Sequence, residues 1–201
     1  MTDVDLERFR VPRPRRADGA RNFDAIVNAA REVFLADGTD VPLETVAERA
    51  GVGIATLYRS FPTREALLVH LYVGEIDAVL GDAADVEGLE PWEAMTVWTR
   101  RFVERLGTKR RLGAAVTPGT DVYEACSAAI LGAAMPIVDR ARAGGRLRPD
   151  VTDLDLIRAV YGIAIMEVDS EAQRRKFLDV FFDGLVAGHE HAPRDGARRS
   201  R

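Results

Sequence analysis

The sequence predicts an all-α protein with a small N-terminal unit of short helices and a larger C-terminal helical domain. Apolar residues recur at helical spacing through most of the chain. No segment shows the sustained apolar–polar alternation of a half-buried strand. Breaks that contain glycine or proline divide the chain into segments of helical length. These three observations favour helices throughout.

Four helices are predicted in the N-terminal part of the chain. The first has an apolar stripe from Phe23 to Phe34. Gly51 ends the second, because glycine adopts the positive φ that terminates helices. Thr63 is placed to cap the fourth. The predicted segments are 23–37, 43–50, 54–60 and 64–80.

Further helices are predicted after a break at 81–91. Pro136 marks a kink within one of them. Thr152 or Asp153 caps the next helix, and Ser170 precedes the last. The predicted segments are 92–106, a short piece within 107–120, 121–143, 153–165 and 171–186.

Length and composition indicate a folded protein of a reducing compartment. The 201 residues are 47% hydrophobic and 30% charged, which is enough to bury a core. No apolar run approaches the roughly 18 residues of a membrane span, and the N-terminus lacks the apolar region of a secretory signal. Cys126 is the one cysteine, so an intrachain disulfide is excluded. The predicted location is the cytoplasm, without a membrane partner.

A basic arm precedes the first helix. Its arginines, from Arg10 to Arg21, face a single acidic residue, Asp18. Two prolines keep the segment extended. The arm is predicted to be disordered over 1–20, and a solvated tail and a DNA-contacting arm are equal alternatives.

Residues 43–61 have the pattern of a helix-turn-helix, in which a Gly-containing turn joins two short helices after a longer supporting one. Val46, Ala47, Val52, Leu57 and Phe61 are spaced to close a small core. The opposite face of the third helix is then exposed. Small side chains there let the backbone approach base edges, and polar ones reach phosphates or bases. The outward residues are Gly53, Ile54, Ala55, Thr56, Tyr58, Arg59 and Ser60.

The stretch "TVAERAGVGIATLYRSFPTREALL" at 45–68 resembles the DNA-binding signature of the tetracycline-repressor (TetR) family of transcriptional regulators. The resemblance implies a three-helix DNA-binding domain followed by a helical ligand-binding and dimerisation domain. It further implies a homodimer that binds a palindromic operator as a repressor and is released by a small ligand. The matching elements are Ala47, Ala50-Gly51-Val52, Thr56-Leu57-Tyr58, Phe61-Pro62 and Arg64-Glu65-Ala66-Leu67-Leu68. The domains expected are the arm (1–20), the DNA-binding domain (21–66), the effector and dimerisation domain (67–188) and a polar tail (189–201).

By position, Thr56, Tyr58 and Arg59 match the family's DNA contacts, and Arg64 matches a basic residue that holds a phosphate. Ile54 departs from the pattern, and its apolar side chain suits a thymine methyl. Pro42 and Leu43 also depart from it, since neither side chain can donate to a phosphate. Glu44 repels phosphate unless it accepts from a cytosine, and the arm can compensate. The predicted DNA contacts are Glu44, Thr45, Gly53, Ile54, Ala55, Thr56, Tyr58, Arg59, Ser60, Arg64, Arg13, Arg15 and Arg16.

The last two predicted helices carry broad apolar stripes. The resemblance implies that they pair with their copies in a four-helix bundle, which places two recognition helices ~34–36 Å apart, one turn of DNA. The alternative is that the stripes pack only on their own core. The predicted dimer-interface residues are Leu154, Ile157, Tyr161, Phe177, Phe181, Phe182 and Leu185.

Aromatic residues on the fifth predicted helix are candidates for an effector pocket. Sparse polar groups among aromatic ones suit an apolar or aromatic ligand, but an aromatic stripe is also typical of plain core. The candidate pocket residues are Tyr72, Met95, Trp98, Phe102, Cys126, Ile130 and Tyr161.

The sequence offers little support for an enzyme. The "GVG" at 51–53 lacks the third glycine of a dinucleotide site. His189 and His191 have no third ligand at metal-binding spacing, and Cys126 has no activating base nearby in sequence. No catalytic residue, cofactor or metal is therefore predicted. A helical protein-interaction module and a ligand-independent DNA-binding regulator remain the alternatives.

Overall fold

The computed structural model describes residues 4–112 and 116–187, with the backbone alone over 107–112. Within these ranges the chain forms eight α-helices, a 3-10 turn at Glu7–Phe9 and one isolated bridge between Leu147 and Val186. The all-α prediction is confirmed. The predicted tail, with His189 and His191, lies outside the described residues. The helices are α1 (Ala17–Asp37), α2 (Leu43–Ala50), α3 (Ile54–Ser60), α4 (Arg64–Asp85), α5 (Pro91–Leu112), α6 (Asp121–Ala143), α7 (Asp153–Ile165) and α8 (Glu171–Leu185).

Side-chain caps begin several helices where the sequence predicts them. The hydroxyl of Thr63 accepts from the backbone of α4, and that of Ser170 from the backbone of α8. Thr152 forms a capping box with Asp155 at the start of α7. Gly51 follows α2 in the left-handed region, at φ 67°. Each of these four boundaries is confirmed.

The ends of α4 and α5 differ from the prediction, whereas α6 has the predicted bounds. α4 continues to Asp85, into the predicted break at 81–91. α5 continues through 107–112, because lysine, arginine and leucine propagate a helix well even without an apolar stripe. The predicted separate piece within 107–120 is therefore the end of α5, and 113–115 lie outside the described residues. α6 continues through Pro136, which removes one helical hydrogen bond to Gly132. Both residues are exposed, so water can satisfy the freed carbonyl.

The N-terminal arm is folded where it is described, in contrast to the predicted disorder. Leu6 is buried in a cluster with Tyr72 of α4 and Cys126 of α6. Arg10 pairs with Asp77 and Glu7. The prediction rested on the arginines and prolines of this segment, whereas its apolar residues Val4, Leu6 and Phe9 anchor it. α1 begins at Ala17, before the expected boundary at 21.

Three connected clusters form the core, and α4 belongs to all of them. The head cluster joins α1 to α3 with the start of α4, and includes Phe34, Leu57 and Phe61. A middle cluster joins the arm, α4 and α6. The body cluster joins the end of α4 to α5–α8. The head and the body are therefore packed on one shared helix.

Two buried carboxylates on α4 pair with arginines of neighbouring helices. Glu75 lies 3.2 Å from Nε of Arg31 on α1. Asp82 accepts from Arg105 of α5 at 2.5 and 3.2 Å. Both acids are less than 9% exposed, and a buried charge is tolerated only with such a partner. These pairs fix α4 to the head at one point and to the body at another.

α6 is the one described helix that is long and apolar enough to cross a membrane. It packs against α4 and α5. Cys126 and Ile137 on its inner side are buried in the middle and body clusters, respectively.

Candidate nucleic-acid interface and internal cavity

The turn between α2 and α3 is closed by backbone hydrogen bonds. The amide of Val52 donates to the carbonyl of Ala47 at 3.0 Å. The amide of Thr56 donates to the carbonyl of Gly53 at 2.8 Å and so begins α3. Leu57 and Phe61 are fully buried and hold α3 against the head. The short helix is thereby held rigidly with its other face outward.

Most of the predicted DNA contacts on α2 and α3 lie together on this outer face. Tyr58 is 46% exposed, a high value for a large aromatic side chain. Thr56 and Ser60 are half-buried, as expected at the edge of the face. The exposed members are Glu44, Thr45, Gly53, Ala55, Tyr58 and Arg59.

Ile54 differs from its prediction. It is half-buried and packs against the head cluster instead of projecting freely. The physical reason is that the first turn of α3 lies against the apolar residues of the head, and an isoleucine there is stabilised by burial. Ile54 therefore holds the first turn of α3 against the head.

Two predicted phosphate-binding arginines are engaged within the protein. Arg64 donates to the backbone carbonyls of Thr39 and Val41 at 2.5 and 2.7 Å, which ties the α1–α2 loop to α4. Arg13 forms a bidentate pair with Asp24 at 2.7 and 2.6 Å. The hydrogen bonds of that pair lower the pKa of Asp24 and raise the pKa of Arg13.

The other two arm arginines, Arg15 and Arg16, lie in a different environment. They are exposed immediately before α1. An exposed guanidinium at this position is available to a partner that approaches the head.

A cavity of about 120 Å³ lies among α5, α6, α7 and α8. The rings of Trp98 and Phe102 stack in one wall with centroids 5.3 Å apart. Polar residues are sparse in the lining, with Thr99 and Tyr161 among them. The described lining residues carry no charge. They are Met95, Trp98, Thr99, Phe102, Ile130, Leu131, Ala134, Val138, Leu156, Ile157, Val160, Tyr161, Phe181, Phe182 and Leu185.

The cavity includes five of the predicted pocket residues, Met95, Trp98, Phe102, Ile130 and Tyr161, but not Tyr72 or Cys126. These two belong to the middle cluster beneath the arm, and burial raises the pKa of the Tyr72 phenol. Their prediction as cavity residues was wrong, because Tyr72 on α4 and Cys126 on α6 pack against each other and the arm and not against α5.

Sequence reasoning missed several residues of the cavity wall. Thr99 is one of them, and its spacing could have identified it. It lies four residues after Met95 and three before Phe102, hence on the same face of α5. The same spacing marks Ala134 and Val138 on α6, which lie four and eight residues after the predicted Ile130.

The predicted dimer-interface residues divide into two groups. Leu154, Ile157, Tyr161 and Phe177 are 40–51% exposed. Val180, which was not among the predicted residues, is 64% exposed. These five apolar side chains lie on the outer side of α7 and α8.

The other predicted interface residues face inward. Phe182 and Leu185 are each 5% exposed and belong to the body cluster. Phe181 is half-buried against that cluster and lines the cavity. Phe182 and Leu185 are corrected to core residues, because α8 carries apolar residues on two faces and these two occupy the inner one.

A rigid three-helix head exposes α3, and one long helix joins it to a body that contains an apolar cavity. This arrangement defines a helix-turn-helix DNA-binding protein with a separate helical body.

Comparison with known proteins agrees with that class. The family model "Bacterial regulatory proteins, tetR family" matches residues 26–71. The model "Transcriptional regulator SbtR-like, C-terminal domain" matches residues 90–187. The chain belongs to the TetR family of transcriptional regulators.

Three relatives illustrate the similarity. The TetR regulator SCO0520 from Streptomyces coelicolor is 37% identical, with 82% of this chain and 98% of that chain covered at a TM-score of 0.66. A TetR protein from Mycobacterium vanbaalenii is 30% identical, with coverages of 86% and 99% and a TM-score of 0.65. The HTH-type transcriptional repressor KstR of Rhodococcus jostii (strain RHA1) is 27% identical over 161 residues, which are 79% of this chain and 76% of KstR. All three are transcriptional regulators.

Proposed function

We propose that the protein is a homodimeric repressor that binds a palindromic operator through α3 and is released by a small apolar effector. The outward face of α3, held in place by Leu57 and Phe61, is the observation that carries this proposal. Its similarity to a named repressor, KstR, favours repression over activation. The place of action is the cytoplasm, where operator DNA is accessible.

DNA recognition is assigned to two kinds of residue. Tyr58 and Arg59 project from α3 and reach phosphates or base edges, and Thr56 and Ser60 lie at the rim of the same surface. Thr45, Gly53 and Ala55 allow close approach of the backbone, while Glu44 accepts from a cytosine. Exposed arginines of the arm, Arg15 and Arg16, add phosphate contacts.

Arg64, Arg13 and Ile54 act by positioning. Arg64 holds the loop before α2, Arg13 fastens the arm to α1 through Asp24, and Ile54 supports the first turn of α3. Their substitution weakens DNA binding by loosening the head.

The effector is assigned to the cavity among α5–α8. Aromatic rings and aliphatic side chains dominate its lining, and the hydroxyls of Thr99 and Tyr161 can orient one polar group of a ligand. An uncharged lining disfavours phosphorylated or strongly ionic molecules, because burying an unpaired charge is costly. A small, neutral, apolar or aromatic molecule fits best.

Release follows from a shift between two states of the dimer. The effector prefers the state in which the two α3 helices are misspaced for the operator. α5 lines the cavity, and the Asp82–Arg105 pair links it to α4, which the Glu75–Arg31 pair links to α1. Movement of α5 is therefore passed to the head through α4.

The decisive experiment measures binding to DNA from upstream of the protein's own gene. Fluorescence anisotropy at several salt concentrations is expected to show a steep salt dependence. Arg59→Ala is expected to weaken binding by about 1–3 kcal/mol, roughly 5- to 150-fold. Arg175→Ala is the matched control, since that arginine is exposed on α8 and outside the head.

Three results would contradict parts of the proposal. Equal affinities for the Arg59 variant and the wild type would remove α3 from the interface. A salt-independent affinity would favour a helical protein-interaction module instead. Unchanged binding curves across a broad screen of apolar compounds would favour a ligand-independent regulator.

A further inference from the structure

The cavity among α5–α8 opens at the surface of the protomer. Leu131 of α6 and Ile157 and Tyr161 of α7 line the cavity, yet they are 40%, 41% and 51% exposed. We refer to these three residues as the cavity mouth. A drug-sized ligand in a closed pocket has most of its surface buried, and a mouth of exposed apolar side chains leaves one side of it in water.

The cavity mouth lies within a larger apolar surface. Leu154 precedes Ile157 by one helical turn, while Phe177 and Val180 flank the cavity-lining Phe181 on α8. Of the large apolar side chains exposed in the described residues, all except Tyr58 of the head belong to this surface. Soluble monomers rarely expose such a continuous patch without a partner.

Three glycines within helices border the same surface. Gly132 follows Leu131, Gly162 follows Tyr161, and Gly184 lies one turn after Val180. A Cβ at each position would meet nothing within 4 Å in the protomer. A glycine inside a helix costs about 0.5–1 kcal/mol relative to alanine, and packing within the protomer does not explain these three. Close approach of another backbone would account for them.

The charges beside the apolar surface suit a second copy of the chain. Asp155 and Arg158 on α7 and Lys176 and Asp183 on α8 are exposed and of mixed sign. A two-fold axis brings the same patch of both protomers together, so each positive group can meet a negative one. Nucleic acid or an anionic lipid surface would require a basic patch instead.

We propose that the partner protomer completes the effector cavity by covering the cavity mouth with its own α7–α8 surface. This inference rests on the proposed homodimer and effector cavity. It follows from the position of Ile157 and Tyr161, because a two-fold interface that buries these residues also covers the opening between them. Ligand binding and dimerisation are then linked, and each strengthens the other by the same factor.

The first test breaks the dimer without touching the cavity wall. Val180→Glu places a charge on the exposed surface, and Val180 does not line the cavity. The neutral fluorophore N-phenyl-1-naphthylamine serves as the cavity probe, and sedimentation velocity reports the oligomeric state. The variant is expected to be a folded monomer with at least roughly tenfold weaker probe binding than the wild-type dimer. Ala84→Glu on α4 is the control, since it is exposed on a different helix.

The second test needs no ligand. Cys126 is fully buried, so a cysteine introduced by Leu131→Cys is the accessible thiol among the described residues. Labelling by a maleimide is expected to be about tenfold slower or more in the dimer than in the Val180→Glu background. Equal labelling rates would overturn the proposal even if the fluorophore binds neither protein.

The outcomes separate this proposal from the function on which it rests. A monomeric Val180→Glu protein that binds the probe as tightly as the wild type overturns the shared cavity and leaves the effector site intact. A Val180→Glu protein that stays dimeric shows that this surface is not the interface, which also overturns it. Loss of operator binding by Arg59→Ala is independent of all these results.

Discussion

Asp82 on α4 depends on the guanidinium of Arg105 for its place in the core. The aspartate is 7% exposed and accepts at 2.5 Å from Nε and at 3.2 Å from Nη2 of Arg105. Nη1 of Arg101 lies 3.6 Å from the same carboxylate. Arg105→Met removes the main partner and keeps most of the aliphatic stem, so the variant leaves a charge in the core that is poorly compensated.

The expected loss of stability depends on how deeply the Asp82 and Arg105 side chains are each buried. Removing one partner of a fully buried ion pair costs about 3–5 kcal/mol. The side chain of Arg105 is 37% exposed, and Arg101 can move closer, so we expect about 2–3 kcal/mol. For a chain of this size, that loss lowers the melting temperature by roughly 4–12 °C.

Thermal and urea unfolding at one fixed protein concentration would measure this loss, because dimerisation makes apparent stability depend on concentration. Arg49→Met is the matched control, since Arg49 and Glu32 pair at 3.2 Å with side chains 62% and 64% exposed. We expect the control to lose about 0–1 kcal/mol. The double variant Asp82→Leu with Arg105→Met removes both charges and is expected to recover most of the loss.

Two results would refute the reasoning about this pair. If Arg105→Met and Arg49→Met have the same melting temperature, the buried pair adds no stability beyond that of a surface pair. If the double variant is as unstable as Arg105→Met alone, the loss arises from the packing of the arginine stem and not from an unpaired carboxylate.

Two further predictions concern the head and its junction with the arm. Gly51→Ala is expected to lower the free energy of unfolding, measured in urea, by about 1–2 kcal/mol, because a φ of 67° is strained for alanine although a Cβ there has open space. Gly53→Ala, at φ −72°, is the control and should be neutral or slightly stabilising. Equal losses in the two variants would show that φ is not the cause. His70 packs edge-on against Phe23 and Phe61, and burial, with Arg10 adding to it, lowers its pKa. The unfolded state therefore binds more protons, so stability should fall as pH drops below about 6.5; urea unfolding between pH 5 and 8 should show a shallower fall in His70→Leu, and equal slopes would contradict this.

Local signals made the helices predictable. Thr63, Thr152 and Ser170 cap helices because their hydroxyls accept from backbone amides, a short-range interaction that the sequence shows directly. The helix-turn-helix was predictable for the same reason, since Gly51 and the spacing of Leu57 and Phe61 are local features.

The predictions that were wrong concern tertiary packing, which local sequence signals do not determine. Phe177 and Phe182 are both apolar residues of α8, but one is exposed and the other is buried. A sequence shows that a side chain is apolar, but it does not show whether that side chain is buried in the core of its own protomer or against a partner. The prediction that Tyr72 and Cys126 line the effector cavity was wrong for a similar reason, because tertiary packing decides which part of the core an inward side chain reaches. The disorder predicted for the arm was wrong, because the abundance of arginine in that segment does not reveal that Leu6 is buried.

α4 provides a physical route by which the body of the proposed regulator can act on the head. Leu71 packs in the head cluster, its neighbour Tyr72 packs in the middle cluster, and Val79 packs in the body cluster. Interiors are close-packed, so a displaced helix moves its neighbours instead of sliding past them. Glu75 and Asp82 strengthen this coupling, since either buried carboxylate would lose its partner if α4 moved without α1 or α5. In the proposed regulator, a ligand that displaces α5 must therefore move α4, and with it the head that holds α3.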